Sequence, residues 1–151
     1  MYLTSDHYRA AALERIAAAR GEYHAGRHAD CIYLAGLAVE SMLRAYRLRI
    51  SREFDSRHDL ADLMKVSGLE GFVPLKRRSA VGALLGEIWM RWKNDYRFAS
   101  RDRLETAFRQ LNLHRGVEGD IVKANAYTVI NCAYEVVSIG EARWQQTSSK
   151  M

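Results

Sequence analysis

Residues 29–50, ADCIYLAGLAVESMLRAYRLRI, decide the fold. The stretch holds no proline, and its first half is apolar almost all round. A helix of that kind is stable only when neighbours cover most of its circumference. Ala35, Gly36 and Ala38 are small enough to let one of those neighbours approach closely. The segment therefore reads as a central helix over residues 29–50, with the rest of the core wrapped around it.

Working outward, the flanking segments repeat the helical period. Tyr8, Ala12, Ile16, Ala19 and Tyr23 recur at helical spacing and predict a first helix over residues 4–25, with cap candidates in TSD. The HAGRH break around Gly26 turns the chain back into residues 29–50. On the other side, SREFDSRH is a charged connection and DLADLMKVSGL a short helix, with Gly68 suited to its C-cap. EGFVPLKRRS, marked by Gly71 and the single proline Pro74, is the clearest loop. Val81, Leu84, Leu85, Ile88 and Trp92 form the stripe of a helix over residues 75–92. Ser100 caps a short helix with Leu104, Ala107, Phe108 and Leu111 on one side. Asp120 begins a last long helix over residues 119–142, with Val122, Ala126, Val129, Ile130, Ala133 and Val137 inward. The expected architecture is all-α: an up-and-down helical bundle of four long helices plus short ones, in one domain over residues 1–151. Its core covers about 5–142, and 145–151 form a frayed tail.

Composition agrees. The chain has 151 residues, 48% hydrophobic and 27% charged, the balance of an ordinary globular domain. Abundant alanine and leucine favour helix. No apolar run reaches the ~20 residues needed to span a bilayer, and the N-terminus lacks an apolar leader, which predicts a cytoplasmic protein. The net charge is +5, and 18 of the 23 basic residues are arginine, whose planar fork suits phosphate. Cys31 and Cys132 stand apart among apolar helical positions and read as reduced core thiols. No zinc spacing, Gly-rich phosphate loop or nucleophile elbow occurs, so no metal or cofactor is expected.

Basic residues cluster at 44–57, at 76–78 (KRR) and at 91–103. The last cluster includes the stretch RWKNDYRF, residues 91–98. Arg91, Lys93, Arg97, Arg101 and Arg103 stand there against Asp95 and Asp102, interleaved with Trp92, Tyr96 and Phe98. Guanidinium groups can hold phosphates while neighbouring aromatic rings stack bases. Cations are also favoured at a helix C-terminus by the dipole, so the same residues fit a plain helix end. Glu40 has two readings: an i,i+4 pair with Arg44, or a partly buried carboxylate facing an arginine elsewhere, such as Arg97. His58, in SRHDL, fits a capping position and is also the side chain best suited to proton transfer near neutral pH. His7, His24, His28 and His114 read as surface or turn residues.

Three pieces in order resemble the HEPN domain family: YHAGRHADCIYLAGLAVESMLRAYRL at 23–48, RHDLADLMKVSGL at 57–69, and WMRWKNDYRF at 89–98. The resemblance spans about 5–142 and implies a helical bundle that dimerises. Many members are metal-independent ribonucleases, often toxins or defence components; others bind nucleotides, RNA or a partner protein. Active members place an arginine and a histidine four to six residues apart, so that a base takes the ribose 2′-OH proton while a cation steadies the phosphate. Arg97 resembles the motif arginine, but RFASRDRLE supplies no histidine after it. Arg52–His58 and Arg109–His114 match the spacing away from that segment. The resemblance thus implies a bacterial homodimer binding RNA or a nucleotide, in a toxin–antitoxin or defence module, with a partner protein from a neighbouring gene. Its binding residues are Arg91, Asn94, Asp95, Arg97, Arg101 and Glu40, and Arg97 and His58 are the catalytic candidates. The alternatives are a metal-independent endoribonuclease toxin and a non-enzymatic protein-interaction module.

Overall fold

The computed structural model describes residues 2–50 and 73–148. The helix expected around residues 59–69 lies outside them, and so does His58. Among the described residues there is no strand. The helices are α1 (Ser5–His24), α2 (His28–Ile50), α3 (Leu75–Arg91), α4 (Arg101–Gln110) and α5 (Ile121–Ser148), with a short 3-10 helix, Asn94–Phe98, between α3 and α4.

Each start has a local cause. Thr4 caps α1 with a reciprocal box: its Oγ1 accepts from the His7 amide at 3.2 Å, and its own amide donates to His7 Nδ1 at 2.9 Å. Here histidine takes the place that Glu or Gln usually fills. Gly26, at φ 81, makes the left-handed turn that folds α1 against α2. Ser100 caps α4 by accepting from the Arg103 amide at 3.3 Å, and Asp120 caps α5 by accepting from the Lys123 amide at 3.0 Å.

α2 is the covered helix its composition requires. Cys31, Ile32, Ala35, Ala38, Val39, Met42, Leu43, Ala45 and Tyr46 are fully buried, positions distributed over most of its circumference. It packs on α1 and α5, and α5 in turn touches α1, α3 and α4. The expected stripes point inward: Ala12, Ile16 and Ala19 on α1, Val81, Leu85 and Ile88 on α3, and Val122 through Val137 on α5. Leu111 departs from its stripe; it is the C-cap of α4 and 45% exposed, because the helix has already ended.

The last helix is longer than expected. The tail expected to fray from 145 is helical through Ser148, because its end is tied down. Trp144 is buried edge-on against Tyr46, with ring centres 5.2 Å apart, and the Arg49 guanidinium lies 3.9 Å over its ring. Arg49 Nη1 donates to Thr147 Oγ1 at 2.6 Å, and Tyr46 OH donates to the Gly140 carbonyl at 2.7 Å. Arg9 on α1 grips Glu141 from the other side, Nε to Oε2 at 2.6 Å, and holds that carboxyl below the usual carboxylate range.

Candidate functional site

α3 stops where Trp92 turns into extended backbone, φ −128 and ψ 135, and Lys93 follows at −138 and 150. The turn drives the indole into the core, where it is 4% exposed. Its Nε1 donates to the Tyr33 carbonyl at 3.1 Å, and its ring lies on the α2 backbone at Gly36. Trp92 thereby anchors the 3-10 helix against α2.

In a 3-10 helix residues three apart eclipse one another, so five residues form three edges. Tyr96 takes the inner edge, half-buried, with its ring edge-on to buried Phe108 at 6.4 Å. Burial, with the Asp95 charge behind it, pushes its hydroxyl above the usual tyrosine range. Asn94 and Arg97 share one outer edge and are exposed. Asp95 and Phe98 share the other and line an open groove of about 600 Å³ between the 3-10 helix and α4. Arg103, Thr106 and Gln110 supply its polar wall. That volume suits a nucleotide-sized ligand. Phe98 is 80% exposed, and the Arg97 guanidinium lies 4.6 Å over its ring. Among the described residues Arg97 makes no ion pair.

The other expected site residues have different occupations. Arg91 was expected at a phosphate, but its side chain is only 13% exposed, and its Nε and Nη1 are engaged internally. Nε donates to Asn125 Oδ1 at 2.8 Å, and Nη1 donates to the Glu87 carbonyl at 2.9 Å and to Glu87 Oε2 at 2.7 Å. Arg101 is paired with Asp120, which pins the start of α4 to the start of α5. Glu40 faces Arg44 at 3.2 Å, not Arg97, and the two side chains are only 14% and 12% exposed. The i,i+4 reading is thus correct, in a more buried setting than a surface pair. Arg109 is paired with Glu105 at 3.3 Å.

Asn125 and His28 escaped the sequence reading. Asn125 is 3% exposed and also donates from Nδ2 to the carbonyls of Leu113, at 3.1 Å, and Ile121, at 2.9 Å. Its one available signal was an amide placed between the inward positions Val122 and Val129. His28, expected as a surface or turn residue, is 8% exposed, its ring 5.4 Å from Tyr23, and its buried Nδ1 has no hydrogen-bond partner among the described residues. Burial first, then the charges of Arg101 and Lys123, lower its pKa from the usual value.

That shift has a measurable consequence. The unfolded chain binds a proton at His28 more readily than the folded one, so the stability involved is full above about pH 6.5 and is lost as pH falls through the folded pKa. The melting temperature should fall between pH 7 and pH 5, and His28→Gln should flatten that fall. Equal slopes in both proteins would assign the acid sensitivity elsewhere.

Both thiols are chemically quiet: burial pushes Cys31 up to about 12 and raises Cys132 as well. Among the described residues no group of three His, Cys, Asp or Glu side chains is placed to hold a metal ion, and no helix is long and apolar enough to cross a membrane. The site therefore offers a cation, an amide, a carboxylate and an exposed ring on one short element, beside a groove. No curated protein and no solved structure matches the chain. The family model for the HEPN domain matches residues 5–142, nearly the whole length and the same bundle seen here, and the chain belongs to that family.

Proposed function

We propose that this HEPN domain protein binds RNA or a nucleotide at the 3-10 helix, as a bacterial cytoplasmic homodimer in a toxin–antitoxin or defence module. The observation that carries the reading is Arg97: exposed, without an ion-pair partner among the described residues, and stacked on an exposed phenylalanine at the rim of a groove. A cation left unneutralised against an exposed aromatic ring suits a phosphate joined to a base. Arg97 holds the phosphate, Asn94 on the same edge orients ribose or base, and Asp95 accepts from a hydroxyl or exocyclic amine in the groove. Arg91, held by Asn125 and Glu87, fixes the end of α3 before this site, and Arg101, held by Asp120, fixes the start of α4 after it. Trp89 and Met90, 38% and 51% exposed on α3 just before the site, suit a dimer contact that would bring two such sites together.

Filter binding of short RNAs tests the reading. Arg97→Ala should weaken binding by about 10- to 100-fold, the worth of one charge-assisted hydrogen bond. It should also reduce the salt slope by about 0.7 for each phosphate that is no longer neutralised. Equal, salt-insensitive binding by both proteins would exclude it. Binding is separated from cutting by incubating structured RNA in EDTA. New 2′,3′-cyclic phosphate ends would support the alternative, a metal-independent endoribonuclease, for which His58 is the candidate proton-transfer residue. RNA left intact fits the binder.

A further inference from the structure

The solvent stripe of α5 has a composition that packing does not require. Lys123, Tyr127, Asn131, Tyr134 and Ser138 face outward along it. Tyr127 is 58% exposed and Tyr134 46% exposed. Seven residues apart, the two rings stand on one face, about 10.5 Å from each other along the axis. Neither is loose. Tyr23 of α1 braces Tyr127, with ring centres 6.2 Å apart, and the Arg20 guanidinium lies 4.5 Å over the Tyr134 ring. Two tyrosines are thus held in place by α1 while much of their surface stays in water.

Once the paired groups cancel, the charges nearby leave a small positive excess. Arg20 and Lys123 flank the rings at either end. The carboxylates close by are Glu135, beside Tyr134, Asp120, bound to Arg101, and Glu22, bound to Arg27. The Arg101–Asp120 pair joins the start of α4 to the start of α5, and His28 lies within the field of both Arg101 and Lys123. Arg101 lies three residues after Phe98 in the chain, so its pair with Asp120 ties the start of this stripe to the segment that carries Arg97 and Phe98. The positions between and beyond these tyrosines are Asn131, Ser138 and Lys123, which favour isolated stacking platforms linked by polar groups.

We propose that Tyr127 and Tyr134 extend the site into a track for single-stranded RNA, bases stacking on the two rings and phosphates passing Lys123 and Arg20. This rests on the RNA-binding reading above and narrows its ligand from a mononucleotide to an unpaired strand several nucleotides long. Stacking of this kind is tolerant of sequence, so the track would set length preference and not base identity.

The test compares a labelled 12-mer oligouridylate with UMP on the intact protein. Tyr127→Ala/Tyr134→Ala should weaken 12-mer binding by about 30-fold or more, the lower end of what one stacked base at each ring is worth, and leave UMP binding unchanged. Tyr127→Phe/Tyr134→Phe should bind the 12-mer like wild type, because the ring and not the hydroxyl stacks. Unchanged 12-mer binding by the alanine pair would overturn the proposal. So would an equal loss for UMP, or a change in sedimentation coefficient showing that the face joins two copies of the chain. Arg97→Ala reports separately: if it alters neither ligand while the tyrosine pair loses the 12-mer, the track stands and the 3-10 site fails.

Discussion

Gly36→Ala should destabilise the protein by about 3 kcal/mol, the upper end of what overpacking a core costs, and lower its melting temperature by roughly 6–12 °C. A β-carbon at position 36 would lie 2.1 Å from Trp92 Cδ1, 2.2 Å from Cγ and 2.3 Å from Nε1. The indole is rigid and packed against the backbone of the central helix, so it cannot yield as a flexible chain end would. Moving it also breaks the Nε1 bond to the Tyr33 carbonyl. Trp92 is the anchor of the 3-10 helix, so the same substitution should weaken RNA binding without touching a residue at the groove. Gly82 and Gly86 on α3 provide the contrast, since a β-carbon at either meets nothing within 4 Å. Alanine there should be neutral or stabilise by about 0.5–1 kcal/mol through helix propensity. Thermal melts of the three variants read the difference directly; a Gly36→Ala protein as stable as wild type would show that the indole does not sit where it is placed.

Asn125→Ala should cost about 3 kcal/mol, because it strands partners that water cannot reach easily. The amide accepts from Arg91 Nε and donates to two carbonyls, joining α3, α5 and the turn after α4. Urea unfolding should show a lower midpoint with an unchanged m-value. In the double variant Arg91→Ala/Asn125→Ala the losses should fall short of additivity, since both singles break the same bond. Arg91→Ala also separates two roles. A guanidinium committed to Asn125 and Glu87 predicts a larger loss of stability than of RNA affinity, whereas a phosphate ligand predicts the reverse.

Much of the fold could be read in the sequence because periodicity reports which face of a helix is apolar. Residues 29–50 became the covered helix they imply, and the small residues at 35–38 received the close neighbour they permit, Trp92. Ser100 and Asp120 cap the helices they were expected to begin. Periodicity does not report partners far away in the chain. Glu87 lies one turn before Arg91 and could be found from spacing, but Asn125 is 34 residues on and becomes its partner only when α3 meets α5. Arg101 met Asp120 for the same reason, and His28 comes within the field of Arg101 and Lys123, which lie far later in the chain. At the C-terminus a polar tail looked ready to fray, because Arg49 and Tyr46, the residues that hold it, belong to α2. For the candidate site, Asn94 and Arg97 stood out by family resemblance, where composition alone did not explain them. The groove beside Phe98 did not, because α4 supplies its other wall.

The central claim is that RNA binds at the element carrying Asn94, Arg97 and Phe98. It is tested most directly by photocrosslinking a 4-thiouridine-labelled RNA to the wild-type protein and mapping the adducts by mass spectrometry. Adducts within residues 94–103, lost in Arg97→Ala at equal protein concentration, are the predicted result. Adducts confined to other segments, or undiminished in that variant, would contradict the account.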